Sequence, residues 1–332
     1  MTVPTIAARS GDALPDLALN ARAWALADDM VARADELRVA VHATGAGARV
    51  IDAGVEAVGG LGAGLRLAEL CMGGLGHVRY TPLVIDGETW PGVQVWSDHP
   101  AVSCMAAQYA GWAVQHGGYF AMGSGPLRAH ARVERELFAK LGYAERAERG
   151  VLVLETRALP TDDVVEWIAA RAELPASALT FAVAPTASVA GGTQVVARVL
   201  ETGLHKIDAL GFDVTRVESA IGTAPVPPPA RNDLRAIGRT NDCVLYGGQA
   251  RYVVRATDDE LAALADRLPA SASADYGIPF YETFERAGRD FYKIDPLLFS
   301  PAEVWLTSAT SGRTFHAGRI DAAVLRTSLY GG

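Results

Sequence analysis

The chain has 332 residues, and its 30 Lys and Arg against 38 Asp and Glu produce a net charge of −8. This acidic balance would repel nucleic acid, whereas a neutral or cationic small molecule is compatible with it. Half of the residues are hydrophobic and only 20% are charged, which excludes a disordered protein. At roughly 100–200 residues per domain, the length predicts two domains.

Three features bear on the compartment. Cys71, Cys104 and Cys243 lie far apart and form no Cys-x-x-Cys pair, so we expect three reduced thiols in the cytoplasm. The first residues do not join a basic segment to an apolar one, so no secretion signal is expected. Residues 99–127 contain no charged Asp, Glu, Lys or Arg, a run long enough to cross a bilayer. Its five glycines and polar side chains instead favour a helix of small residues buried in protein, so no membrane contact is predicted.

The first half of the chain mixes helices with one hairpin. The elements predicted in chain order are helices over 19–37 and 53–71, strands over 80–85 and 89–96, a small-residue helix over 101–115, an amphipathic helix over 127–141 and a buried strand over 151–156. Asp86-Gly87 lies between the two strands and supplies the positive φ angles of a tight turn, which predicts a β-hairpin.

The second half repeats this mixture. The elements predicted there are a helix over 161–171 with Thr161 as its N-cap, strands over 180–184 and 213–220, a long helix over 193–210, a stiff proline segment over 225–229, a second hairpin over 243–254, and helices over 258–268 and 276–289. The fold class is α/β, and the hairpins argue against a simple doubly wound sheet. We predict an N-terminal domain over 1–150 and a C-terminal domain over 151–332, with the boundary between 142 and 161.

Several common cofactor- and metal-binding motifs are excluded because the spacing of their residues does not match. The glycines of 60–64 lack the Gly-x-Gly-x-x-Gly order and lie in a helical pattern, which argues against a nicotinamide cofactor. The turn at 123–126 is not followed by the Gly-Lys-[Ser/Thr] of a phosphate loop. Glu201 and His205 are four residues apart and would form one edge of a metal site, but no third ligand has a matching spacing. We therefore predict no metal.

The predicted helix over 193–210 carries two faces. Its apolar residues recur at a spacing of three to four and form a buried stripe. Arg198, Glu201, His205 and Asp208 follow the same spacing on the neighbouring face, after 24 uncharged residues. Such a row either faces a cleft or is a solvated set of ion pairs, each contributing only about 0.2–0.5 kcal/mol. Spacing alone leaves both interpretations open.

Several segments together resemble one known family. They are Gly-Ser-Gly-Pro at 123–126, Pro-Thr-Ala-Ser-Val-Ala-Gly at 185–191, Ala-Arg-Val-Leu-Glu-Thr-Gly-Leu-His-Lys at 197–206, and the segments 222–229, 238–242, 245–248 and 292–296. In this order, over nearly the whole chain, they resemble the methenyltetrahydromethanopterin cyclohydrolases. The resemblance implies two α/β domains with a substrate pocket between them, a homotrimer, and no metal or redox cofactor. It also implies that Glu201 and Arg198 are the catalytic residues.

The expected substrate is a pterin that carries a cationic amidinium carbon. The pterin carrier is tetrahydromethanopterin or its dephosphorylated variant. A carboxylate can deprotonate the attacking water and then protonate the leaving nitrogen. Arg198 would lower the pKa of Glu201 and burial would raise it, and the sequence leaves the outcome open. Residues expected to contact the pterin are Ser124, Thr186, Ser188, His205 and a polar loop containing Arg239, Thr240, Asn241 and Asp242. The alternatives are a catalytically silent pterin-binding protein of the same fold and a nicotinamide-dependent dehydrogenase.

Overall fold

The structure is a computed structural model that describes residues 14–290 and 293–331; Tyr292, which begins the segment 292–296, lies outside them. The strands are β1 Ala40–Ala43, β2 Arg49–Asp52, β3 His77–Ile85, β4 Glu88–Ser97, β5 Trp112–His116, β6 Tyr119–Ser124, β7 Gly150–Glu155, β8 Leu179–Ala184, β9 Val217–Pro225, β10 Gln249–Val254, β11 Glu303–Ser308 and β12 Thr314–Gly318. The α-helices are α1 Leu19–Ala32, α2 Ala34–Leu37, α3 Leu61–Cys71, α4 Leu127–Ala131, α5 Arg135–Leu141, α6 Asp162–Ala172, α7 Val189–Val196, α8 Val199–Ala209, α9 Asp233–Leu245, α10 Asp258–Ala265, α11 Phe280–Arg286 and α12 Ala322–Tyr330.

The first sheet has the strand order β1-β2-β8-β7-β6-β5. Its centre is parallel, because β8 pairs in parallel with both β2 and β7, and its remaining pairs are antiparallel. Alternate residues of β7 point to opposite faces, so Val151 and Val153 join the core that includes α1 and α3. Leu152 and Leu154 join the core that includes α6. The first sheet is therefore covered by helices on both faces.

The second sheet has the order β12-β11-β10-β9-β4-β3 and is antiparallel except between β10 and β11. Helix α8 packs its apolar side into the core of this sheet, and the Tyr252 hydroxyl of β10 donates to the Leu200 carbonyl at 3.0 Å. The α/β fold class with two sheet units is confirmed. Each sheet takes strands from both sides of residue 150, so the sheets themselves are not divided along the chain as 1–150 and 151–332.

The hairpin around Asp86-Gly87 is confirmed, with β3 and β4 in continuous antiparallel register. The helix predicted over 53–71 begins only at Leu61. Residues 53–60 form a loop because the buried Asp52 carboxylate accepts the amide N–H groups of residues 54–57 at 2.7–2.9 Å. These four hydrogen bonds offer the backbone an alternative to helix.

Two other predicted helices of the first half are shorter than expected. The prediction over 101–115 was wrong after Gln108, because Ala101–Gln108 is a wide π-helical turn and Trp112 begins β5. The prediction over 127–141 splits into α4 and α5, since Arg132 is left-handed with φ +50°. The fully buried Arg128 donates to Glu134 at 2.8 Å across this break.

The long helix predicted over 193–210 is two helices. Helix α7 begins at Val189, because the Ser188 side chain caps it by accepting the Gly191 N–H at 3.0 Å. The helical hydrogen bonds are then interrupted at Ala197 and Arg198 before α8 begins. The strand predicted over 213–220 lies at 217–225 instead, after a short 3₁₀ turn.

The second predicted hairpin was wrong, and so was the polar loop over 238–242. The supposed loop and the start of the first hairpin strand, residues 238–245, lie in α9, which Asn232 caps by accepting the Arg235 N–H at 2.9 Å. Strand β10 does form, but it pairs with β9 and β11. Thr161 occupies the N-cap position of α6 without a side-chain hydrogen bond.

The three cysteines are unpaired and buried, as expected. Among the helices that the structure describes, none is both long and apolar enough to cross a membrane.

Candidate functional site

The break between α7 and α8 positions the two predicted catalytic residues. Arg198 is the N-cap residue of α8 and Glu201 lies in its first turn, where the helix dipole favours a negative charge. Arg198 is only 7% exposed and Glu201 only 5% exposed. The interpretation of this row as a solvated ion pair was therefore wrong for these two residues.

Neutral groups hold the Arg198 guanidinium. Its Nη1 donates to the backbone oxygen of Gln108 at 2.5 Å, and its Nη2 donates to Ser124 Oγ at 2.8 Å and to Gln194 Oε1 at 3.1 Å. These partners orient the planar group without neutralising it. Within the described residues Arg198 forms no ion pair, so its positive charge stays available inside the site.

A second carboxylate, Glu155, is connected to Arg198 through the side chain of Gln194. Gln194 Nε2 donates to Glu155 Oε2 at 3.4 Å, and the Thr186 hydroxyl donates to Glu155 Oε1. Glu155 ends β7, and Thr186 follows the end of the neighbouring parallel strand β8. The sequence analysis missed Glu155, although the carboxyl ends of adjacent parallel strands are where ligands bind in α/β sheets.

Burial dominates the protonation of Glu201. Removal from water raises the pKa of its carboxyl group, and the nearby charges of Arg198, His205 and Arg128 oppose this rise without cancelling it. The structure thus answers the question that the sequence left open. In the described part of the chain the carboxylate has no hydrogen-bond donor, so both of its oxygens are free for water or a ligand.

An aromatic side chain adjoins these groups. The His205 ring stacks on Tyr109, with ring centroids 5.2 Å apart, and the Arg128 guanidinium lies 5.2 Å from the centroid of the same tyrosine. Tyr109 and Arg128 were not predicted from the sequence. The charge-free run 99–127 indicated a buried segment, but nothing in it placed Tyr109 beside α8.

The predicted pterin contacts fall into two groups. Ser124, Thr186 and His205 belong to the network around Arg198, Glu155 and Glu201, whereas Ser188 caps α7. The other four lie on α9 and bond to nearby backbone or to other helices; they are Arg239, Thr240, Asn241 and Asp242.

Asp242 is fully buried and ties three helices together. It accepts the Phe280 N–H of α11 at 2.8 Å and the Ser328 hydroxyl of α12 at 2.5 Å. Burial raises the pKa of its carboxyl group to about 7. That the α9 residues contact the pterin stays a prediction.

One trio of described side chains has the composition of a metal site. Ligand atoms of His42, Asp52 and Glu56 lie within 4.8 Å of one another. However, each Asp52 oxygen already accepts two amide N–H groups, which leaves it little capacity for a metal ion.

A surface cavity of about 570 Å³ lies at the start of α10. Its three arginines pair with acidic residues, and none of the predicted site residues lines it. The buried network around Arg198 and Glu201 is therefore the candidate site.

Comparison with known proteins agrees on one family. A family model described as "Cyclohydrolase (MCH)" matches residues 18–329. The methenyltetrahydromethanopterin cyclohydrolase of Methylobacillus flagellatus is 46% identical over 305 residues, which are 92% of this chain and 93% of that protein. The proteins of the same name from Rhodopirellula baltica and Methanococcoides burtonii are 47% identical over 289 residues and 39% identical over 314 residues. These alignments cover 86% of this chain and 86% of the first protein, and 94% of this chain and 98% of the second.

Proposed function

Because this chain belongs to the cyclohydrolase (MCH) family, we propose that it hydrolyses 5,10-methenyltetrahydromethanopterin to the 5-formyl compound, reversibly. The observation that carries the mechanism is the buried Glu201 carboxylate, which has a raised pKa and lies in the first turn of α8 after Arg198. A carboxyl group with a raised pKa changes protonation state closer to neutral pH than an ordinary glutamate, as acid–base catalysis requires.

In the proposed reaction the oxygen of a water molecule attacks the amidinium carbon, and Glu201 accepts a proton from that water. The bond between this carbon and N10 then breaks as Glu201 delivers its proton to N10. The hydroxyl group that the attack created releases its remaining proton to solvent, so that the carbon remains on N5 as a formyl group. Before the attack, the negative charge of Glu201 stabilises the cationic substrate. Arg198 keeps Glu201 ionised often enough to act as the base, against the effect of burial.

The reaction as proposed needs no metal or redox cofactor. Hydrolysis transfers no electrons between the reactants, and a positively charged amidinium carbon is already electrophilic without a Lewis acid. Tetrahydromethanopterin, or its dephosphorylated variant, acts only as the carrier of the substrate carbon. We place the pterin in a pocket between the two sheet units, where Glu155 ends β7 of the first sheet and α8 packs on the second.

The test is hydrolysis followed by the near-UV absorbance of the methenyl group, with each of the two carriers. A decrease in absorbance that depends on enzyme concentration supports the proposal, and the two rates identify the preferred carrier. A protein that binds the methenyl compound without turning it over would be the catalytically silent alternative. Stabilisation against heat by NAD or NADP would instead support a dehydrogenase.

We also propose that the protein is a cytoplasmic homotrimer. The support for the cytoplasm is the set of three free, buried thiols. The support for assembly is the chain's 50% hydrophobic composition, together with the resemblance described above. Light scattering at micromolar concentration should report a mass near three chains. A particle of 35 kDa would contradict the trimer.

A further inference from the structure

Gln108 contacts the helix break twice. Its side-chain Nε2 donates to the Ala197 carbonyl at 3.1 Å, and its backbone oxygen accepts from Arg198 Nη1 at 2.5 Å. The Ala197 carbonyl is available because the helical hydrogen bonds are interrupted between α7 and α8. Gln108 itself is fully buried, so both contacts are shielded from water.

Gln108 is the last residue of an unusual helical turn. The π-helical turn Ala101–Gln108 is buried along its whole length. Its last carbonyl groups are bound by two arginines, because Arg128 Nη1 donates to Ala107 at 3.0 Å and Arg198 donates to Gln108. π-helical turns are rare and are found frequently at functional sites. This one connects the two arginines whose charges lower the pKa of Glu201.

The amide orientation of Gln108 is set by its partners. Only the –NH₂ group can donate to the Ala197 carbonyl, so Oε1 must point the other way. This Oε1 atom is buried, and no donor reaches it within the described part of the chain. A buried amide oxygen without a hydrogen-bond partner lowers the stability of the fold. A residue with a purely structural role would not need to carry this cost.

We infer that Gln108 is a positioning residue for the reaction proposed above, on which this inference rests. By binding Ala197 and Arg198 together, it sets the direction in which α8 begins and therefore the position of Arg198 relative to Glu201. It acts through these two residues and not on the substrate. Without the Nε2 bond, the break is free to shift, and the Arg198 charge moves relative to the Glu201 carboxylate.

The test is the pH–rate profile of Gln108→Met, which keeps the length of the side chain and removes its polar atoms. We expect kcat to fall about tenfold or more while KM changes less than threefold. The acidic limb of the kcat profile should move upward by about 0.5–1 pH unit, because Arg198 lowers the pKa of Glu201. The other groups that face Glu201 remain in place in this variant; they are His205, Arg128, Cys104 and Tyr252.

Two further variants make the result decisive. Gln249→Met is the matched control, because it removes a glutamine that donates to Glu303 at 2.6 Å in the second sheet; it should leave kcat and the pH profile unchanged. Gln108→Glu keeps the side-chain shape but replaces the donor to Ala197 and adds a negative charge, so its acidic limb should also move upward. It serves as the second test if Gln108→Met does not fold.

A folded Gln108→Met enzyme with a lower melting temperature but wild-type kcat and pH profile would overturn the inference and leave Gln108 structural. The same holds for Gln108→Glu. Failure of the proposed function has a different signature, since wild-type protein would then not hydrolyse the methenyl substrate at all.

Discussion

Replacing Glu201 by glutamine should separate catalysis from stability. Glu201→Gln keeps the shape of the side chain but can no longer accept or release the proton. In the described structure the carboxylate has no hydrogen-bond donor, so the substitution breaks no such contact. It also removes a charge whose burial is unfavourable, as the raised pKa of Glu201 indicates.

The expected loss in kcat is about 10²–10⁴-fold, the usual contribution of a positioned acid–base group, or about 2.7–5.5 kcal/mol. The melting temperature should rise. Because the pKa of Glu201 is raised on folding, its favourable contribution to stability is complete at low pH and is lost as the pH rises through the folded-state value. Glutamine does not titrate, so the advantage of the variant should grow as the pH rises above the ordinary glutamate pKa of 4.5.

The assay combines initial rates of methenyl hydrolysis with melting temperatures at several pH values. Glu145→Gln is the matched control, because Glu145 is also a buried carboxyl group whose pKa is raised by burial, and it is not part of the network around Arg198. It should leave kcat unchanged. Turnover of Glu201→Gln within threefold of the wild type would refute the assignment of Glu201. A large fall in its melting temperature would refute the argument from burial.

Two further predictions follow from the same network and from the buried carboxyl of α9. Arg198→Lys keeps the charge but cannot bind Gln108, Ser124 and Gln194 together, so kcat should fall by less than in Glu201→Gln. The double variant should lose no more than Glu201→Gln alone; rate losses that multiply would show that the two residues act independently. Asp242 has a pKa of about 7 against an ordinary 3.8, so its favourable contribution, at most about 4 kcal/mol, should be lost as the pH rises from about 4 to 7. In denaturant unfolding, the free energy of unfolding of Asp242→Asn should therefore increase relative to that of the wild type across this range. A constant difference between the two proteins would contradict the raised pKa.

Local sequence signals predicted the elements that carry a clear turn or an uninterrupted apolar run. Asp86-Gly87 predicted the β3–β4 hairpin, and the uninterrupted apolar run predicted β7. The spacing of Arg198 and Glu201 predicted that their side chains lie in one row, either facing a cleft or solvated. The structure buries both. These signals depend on neighbours within a few residues, and sequence patterns report such neighbours well.

The errors have two causes: side chains that bond to nearby backbone groups, and contacts between residues far apart in the chain. Asp52 holds residues 54–57 out of the helix that their composition favours. Helix α9 was mistaken for a polar loop because its Thr240 and Asn241 satisfy their polar groups on their own helix. Glu155 was missed because Gln194, which connects it to Arg198, lies 39 residues away in the chain. Only the paired strands β7 and β8 bring these groups together.

The interleaved sheets impose an order on folding during synthesis. The first sheet is complete once β8 has left the ribosome, whereas β4 of the second sheet must wait for β9, some 120 residues later. At about 5–20 residues per second, the β3–β4 hairpin exists for about 6–24 s with its hydrogen-bonding edge unpaired. Such an edge is a template for pairing with other chains. The interval in which this edge stays unpaired includes the synthesis of α7 and α8, which carry the candidate site.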